Sequence, residues 1–472
     1  MTPQRLAAGC IFPSFPGFDV PDWVLRRIEG GLGGICLFGY NVRDRAQLAA
    51  LSASLRAVRG DLLIGIDEEG GDVTRLEGDR GSSYPGAGAL GAVDDIALTE
   101  RVSAAIGADL RAVGVNLDFA PVADVNVNPA NPVIGIRSFG SDPELVARHV
   151  AASVRGLQRQ GVAACAKHFP GHGSTEQDSH LELPVVVGDA SEGLPPFRAA
   201  IEAGVKTIMT AHVRVPALDD APATVSPAVV QGLLRDVLGF DGVVIADALE
   251  MKGLSDSVGI ERGAVLALEA GVDALLIGHD LGEDAVEAVQ RALVSSVPET
   301  RLREAAGRVA RVGAWAASAP VGGPVDRGAG EKAARLALQI DGDVSLESAP
   351  FVVELRPQAN MAAGEAAHSL GAVIEERLPG SEAVVFDEAN AHPATAERMA
   401  GARPVVIVVR DAHRHRWMQE FTERLPSSVL VEVGLPVWRP AGVRGYAASY
   451  GGSRVSYEVL ADVLLERVAV TA

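Results

Sequence analysis

The sequence predicts an α/β protein made of a (β/α)8 TIM-type barrel followed by a smaller α/β sandwich domain. Short apolar runs without helical periodicity alternate with helical stretches eight times over about the first 300 residues, the pattern of a parallel sheet wrapped by its crossover helices. At 472 residues the chain is longer than one hydrophobic core ordinarily organises. A run rich in breakers, Ser318-Ala319-Pro320-Val321-Gly322-Gly323-Pro324, marks where the first domain should end.

Taken in order, the strands of the barrel are expected at 6–12, 33–38, 62–67, 115–120, 162–167, 207–213, 242–247 and 273–278. Each is a short apolar run bounded by turn residues. Helices are expected between them at 21–30, 44–58, 95–113, 142–160, 190–203, 226–238, 257–270 and 283–293, and Asp44, Asp142 and Ser226 stand at plausible helix starts. A further helix over 299–317 precedes the breaker run, and another follows at 331–339. The domain boundaries expected are 1–320 for the barrel, 321–345 for a linker and connecting helix, and 346–472 for the second domain. That domain should hold strands near 350–355, 382–387, 404–409 and 428–433, with helices near 364–378, 393–401 and 412–424.

Composition narrows the function classes. The chain is 48% apolar and 22% charged, which is globular rather than disordered. Its net charge of -19 would repel nucleic acid and anionic membrane, so neither is expected as a partner. The three cysteines, Cys10, Cys36 and Cys165, are odd in number and fall in expected strands. They read as buried free thiols in a reducing compartment. Leu6-Ala7-Ala8-Gly9-Cys10 mimics a lipidation box, but no apolar region precedes it, so it reads as the first strand. A cytoplasmic protein without a signal peptide is expected, acting as a monomer or weak homo-oligomer.

The polar residues gather at one end of the expected barrel. Asp67 closes the third strand; Asp118 and Asp124 flank the end of the fourth; Lys167 and His168 close the fifth; His212 and Asp247 close the sixth and seventh. The carboxyl ends of barrel strands converge on one pocket, so these residues can share a site despite their distance in sequence. Any one of them alone reads equally well as a structural hydrogen-bond partner. Asp178 and His180 lie two apart on the loop after the fifth strand. A carboxylate beside an imidazole fixes its tautomer and raises its basicity, the preparation for proton transfer. Gly171 and Gly173 give that loop, 171–183, freedom to open and close.

The run Lys167-His168-Phe169-Pro170-Gly171-His172-Gly173, followed by Asp178-Ser179-His180 and Leu183-Pro184, closely resembles the β-N-acetylglucosaminidases of glycoside hydrolase family 3. The resemblance covers about residues 5–345 and implies the same barrel architecture. It implies that Asp247, in Val244-Ile245-Ala246-Asp247-Ala248-Leu249-Glu250-Met251, is the nucleophile. It makes His180 the general acid/base and Asp178 its partner, in place of the second carboxylate of most glycosidases. Asp67, Arg137, Lys167 and His168 match the family's sugar-binding positions, and His212 is a candidate for lining the pocket. The family usually shows Asp-Gln-Glu-Gly-Gly-Arg where this chain has Glu68 and Asp72, which changes the charge beside Asp67.

The leading expectation is a retaining exo-glycosidase acting on a carbohydrate with terminal β-linked N-acetylglucosamine, with no cofactor and no metal. The preference for the 2-acetamido group comes from the resemblance alone. The same residues also suit a β-glucosidase, or a phosphorylase, because a histidine base does not repel phosphate as a carboxylate would. From other classes, His168, His172, Asp178 and His180 form an alternative metal site for a metal-dependent hydrolase, and a catalytically dead sugar-binding module is a third reading.

Overall fold

Eight parallel strands make the first sheet: β1 (Ile11–Pro13), β2 (Gly34–Leu37), β3 (Leu63–Ile66), β4 (Leu117–Asp118), β5 (Ala163–Phe169), β6 (Thr207–Thr210), β7 (Val243–Ala246) and β8 (Ala274–Ile277). Their order, β1-β8-β7-β6-β5-β4-β3-β2, is the sequential wrap of a (β/α)8 barrel. The computed structural model describes residues 1–468 apart from 180, 187, 189, 279–280, 321 and 358–367. The chain clusters into two units: Met1–Glu69, Ile96–Ile134 and Gly140–Arg327 form the first, and Gly70–Asp95, Gly135–Phe139 and Gly328–Ala472 the second. Two excursions that sequence order places within 1–320 thus cluster with the C-terminal unit.

The strands are buried on both faces, which is why they read as unbroken apolar runs. Phe12, Leu63, Phe119, Cys165, Met209 and Ile245 meet in one buried cluster, against which Val309 and Val312 of the helix Glu299–Ser318 pack. Asp44 and Asp142 do cap their helices, accepting from the Gln47 and Glu144 amides at 2.8 and 3.1 Å. Ser226 Oγ accepts from Val229 N at 3.3 Å and opens the helix Ala228–Val237, which is of the π type.

Three expectations need correction. Leu6-Ala7-Ala8 is not strand: it ends the helix Pro3–Ala8, which Thr2 caps and Pro3 starts. The strand begins only at Ile11, so Cys10 lies in the turn between them, although all three cysteines are buried and free. The helix expected over 257–270 is broken at Gly259, whose φ of +74° interrupts it between Lys252–Val258 and Ile260–Ala270. An unexpected helix, Ala87–Val93, lies in the excursion after β3.

The second unit carries a six-stranded sheet of β9 (Gln339–Gly342), β10 (Phe351–Leu355), β11 (Glu382–Phe386), β12 (Val405–Val409), β13 (Val429–Glu432) and β14 (Gly445–Ala448). The order is β9-β14-β13-β12-β10-β11. Only the β9–β14 pair is antiparallel; the others are parallel. The five parallel strands follow the doubly wound 2-1-3-4-5 order, with helices on both faces. Val352, Val406 and Leu460 belong to one buried face, and Phe351, Ile407 and Phe421 to the other. The sequence reading missed β9, whose residues are all exposed, and β14, a short Gly-Tyr-Ala-Ala run.

Candidate active site

The site is built from residues at or just beyond the carboxyl ends of the barrel strands. Asp67 follows β3, and Lys167 lies near the end of β5. The Lys167 ammonium bridges Asp67 Oδ1 at 2.6 Å and Glu69 Oε1 at 2.8 Å, with only 3% of the lysine side chain exposed. An ammonium this buried is costly unless paired, and two carboxylates pair it. Asp67 keeps 20% exposure where Glu69 keeps 7%, so Asp67 is the member a ligand can reach. Sequence reasoning missed Glu69, because its role depends on where Lys167 comes from.

His168 is next along β5. Its Nδ1 lies 2.7 Å from Asp124 Oδ2, which sets the proton on Nδ1 and leaves Nε2 for a ligand. Asp124 also accepts from the backbone amides of His168 at 3.3 Å and His172 at 2.7 Å. Burial would raise this carboxyl, but His168 and His172 outweigh it and hold it below the usual carboxylate range. Asp124 therefore anchors the turn after β5 from within. Asp118, at the end of β4, behaves in the opposite way. One of its oxygens accepts from Glu68 N at 3.0 Å, while the other is buried without a hydrogen bond. Burial first, with the nearby Glu68 and Asp67 charges adding to it, drives the Asp118 carboxyl well above its usual range.

The loop after β5 is tied back to this anchor by His172. Its Nδ1 meets Thr175 Oγ1 at 2.8 Å and its Nε2 meets Ser179 Oγ at 3.1 Å. Asn131 Nδ2 donates to the His172 carbonyl at 2.9 Å and the Thr175 carbonyl at 3.0 Å. His172 thus serves as a strut inside the loop, with both ring nitrogens engaged by hydroxyls. Asp178 is half-buried at the start of a turn, its carbonyl accepting from the Leu181 and Glu182 amides, both at 3.0 Å. His180 lies outside the described residues, but its neighbour is placed: Ser179 O accepts from Gly253 N at 3.2 Å. Gly253 belongs to the helix that follows Asp247, so the loops carrying the expected acid/base and the expected nucleophile are hydrogen-bonded to each other.

Asp247 stands immediately after β7, half-buried, with Oδ1 accepting from Ala248 N at 2.8 Å. His212, expected as a pocket-lining residue, is fully buried and meets the same residue, Ala248, at its carbonyl. Its Nε2 meets Ala248 O at 3.0 Å and its Nδ1 meets Thr224 Oγ1 at 2.8 Å. Those contacts give it a backbone-holding place behind Asp247. Arg137 sits in the short 3-10 turn Gly135–Arg137, within the second unit. The unusual Asp72 is answered there too: Arg410 grips its carboxylate with both terminal nitrogens, and Gly452 N donates to it at 2.9 Å. Among the described residues no group of three or more His, Cys, Asp or Glu side chains is placed to hold a metal ion.

A barrel whose strand ends present a reachable aspartate beside a lysine–carboxylate cluster and a carboxylate-backed histidine offers the charged donors and acceptors that suit a polar, hydroxyl-rich molecule. The chain belongs to glycosyl hydrolase family 3: the model of that family's N-terminal domain matches residues 25–312. It is similar to the β-hexosaminidase of Bordetella avium, at 38% identity over 60% of this chain and 85% of that protein. It is 39% identical to β-hexosaminidase A of Pseudoalteromonas piscicida over 273 residues, which span only 46% of that longer protein. The fold extends over both units in a family 3 β-N-acetylglucosaminidase from a Paenibacillus species, with a TM-score of 0.87, 32% identity and coverage of 99% and 97% of the two chains.

Proposed function

We propose that this protein is a retaining exo-β-N-acetylglucosaminidase that removes terminal β-linked N-acetylglucosamine by double displacement. In this reading Asp247 attacks the anomeric carbon while His180, with Asp178 behind it, protonates the leaving oxygen. His180 then activates the water that releases the sugar from Asp247. Asp67, Lys167 and His168 hold the sugar hydroxyls, and the family resemblance alone gives Arg137 the same role.

The observation that carries the reading is the Gly253–Ser179 hydrogen bond, which ties the segment after Asp247 to the loop of His180. Nucleophile and proton donor must work on the same glycosidic bond, and their loops are in contact. The test is turnover of an aryl N-acetyl-β-glucosaminide, with the anomeric configuration of the first-formed product read by NMR. Retention supports the mechanism; inversion or absence of turnover contradicts it. Running the assay with and without phosphate separates hydrolysis from phosphorolysis. We further place the protein in the cytoplasm, in the recycling of cell-wall fragments, a setting that suits its three free, buried thiols.

A further inference from the structure

The second unit contains two pieces of chain that interrupt the barrel sequence, 70–95 and 135–139, and the second piece carries Arg137. The two pieces meet closely at two glycines. The helix Ala87–Val93 presents Gly88 and Gly91, three apart and so on one face. A Cβ on Gly91 would lie 1.7 Å from Phe139 O, and one on Gly88 would lie 2.9 Å from Ile136 O. Only glycine lets the backbone of the Arg137 turn rest directly on this helix.

The chain leading into this helix is held in the second unit at several points. Gly330, in the helix Ala329–Ala337, comes so close to Ser83 and Tyr84 that a Cβ would meet the Ser83 carbonyl at 2.5 Å. Ser82 O accepts from Val455 N at 3.3 Å. Asp72 is clamped by Arg410 and by Gly452 N. Arg410 follows β12 directly, beside β10, where the strand order of the sheet reverses. In doubly wound sheets the carboxyl-end crevice at such a reversal is the ligand-binding place. Here the chain's own Asp72 carboxylate engages the arginine at that point.

We propose that the second unit is a positioning device for Arg137: the Asp72–Arg410 clamp and the Gly88–Gly91 seat together fix the turn from which that arginine works. This rests on the reading of Arg137 as a sugar-binding residue and gives the acid at position 72 a purpose. Asp72 and Arg410 are positioning residues and touch no substrate.

The test combines kinetics with a measurement that needs no substrate. Asp72→Asn should raise KM for an aryl N-acetyl-β-glucosaminide by about tenfold with a smaller change in kcat. Added to Arg137→Ala, it should cost less than about twofold more, because the residue it positions is already gone. Arg410→Lys, which keeps the charge, should recover part of what Arg410→Gln loses. Hydrogen exchange of the 135–139 amides should speed up in Asp72→Asn. Should Asp72→Asn fail to fold, Gly91→Ala replaces it in the same cycle. Losses that multiply in the double variant, or unchanged 135–139 exchange, would overturn the proposal. Absence of wild-type turnover would instead strike the functional reading, leaving the exchange result to judge the positioning.

Discussion

Two of the barrel's clusters of buried charge are wired differently. Just before β8, the fully buried Asp273 takes Arg235 at 2.5 Å, Arg301 at 2.8 Å and Arg308 at 3.4 Å, and accepts from Val244 N at 3.0 Å. At the opposite strand ends, a single lysine faces two carboxylates, one of them partly exposed, with the high-running Asp118 alongside. The first cluster gathers three arginines on an acid sealed from water; Arg301 and Arg308 reach outward to Glu304 and Arg308 to Asp241 as well, and the guanidiniums also cap backbone carbonyls such as Phe240 O and Val272 O. The second keeps Asp67 reachable, at 20% exposure. Sealed from water reads as stability; open to a ligand reads as function.

The largest effect that would sharpen this contrast is at the nucleophile. Asp247→Ala should lower kcat by at least about 10³-fold, roughly 4 kcal/mol of transition-state stabilisation, and leave thermal unfolding near that of wild type. Asp273→Ala should do the reverse. Leaving three guanidiniums around a vacated acid should cost about 3–5 kcal/mol of folding stability, measured by chemical denaturation, with kcat of the folded fraction little changed. If Asp273→Ala abolished activity in a fully folded protein, or Asp247→Ala unfolded it, the division of the two ends would fail.

Next in size is the proton donor. His180→Ala should slow a disaccharide by about 10²-fold or more, since its leaving sugar needs a proton. A nitrophenyl substrate should be slowed far less in its first step, and Asp178→Ala should repeat the pattern more weakly. Pre-steady-state kinetics with both substrates checks this; equal slowing would move the acid role to a carboxylate such as Glu176.

Much of this arrangement was legible in the sequence, for physical reasons. The barrel strands announce themselves because parallel strands buried on both faces must be apolar throughout, and Asp67, Lys167, His168 and Asp247 stand out as the charges that end such runs. What stayed hidden was partnership. Nothing local to Glu69 says that it shares Lys167 with Asp67, and nothing local to His172 says that it is a strut to Ser179. A histidine that ends a strand suits a pocket or a core equally well, and nothing local to His212 says that its ring nitrogens meet Thr224 and Ala248. The N-terminal strand was misplaced because Leu6-Ala7-Ala8 is apolar in either state, and the Thr2-Pro3 start decides for helix. The helix Ala87–Val93 escaped because small residues give no periodic signal. Sequence order could not show that 70–95 and 135–139 join the C-terminal core.

The smallest predicted effect concerns Asp118. Its folded carboxyl is raised, so the folded chain holds a proton that the unfolded chain releases above about pH 3.9. Wild-type stability should therefore fall as pH rises from there toward the raised value. Asp118→Asn cannot ionise, so its melting temperature should gain on wild type across that window. A gap between the two that does not change with pH would mean Asp118 is ionised in the folded protein.

The central claim is that the half-exposed aspartate after β7, and no other acid of the site, carries the sugar during the reaction. A 5-fluoro glycoside of N-acetylglucosamine traps such an intermediate, and peptide mapping by mass spectrometry locates it. The account predicts a single label on the peptide containing Asp247, absent from Asp247→Ala. A label on Asp67, Glu69 or Asp178, or turnover with retention and no covalent adduct at all, would contradict it.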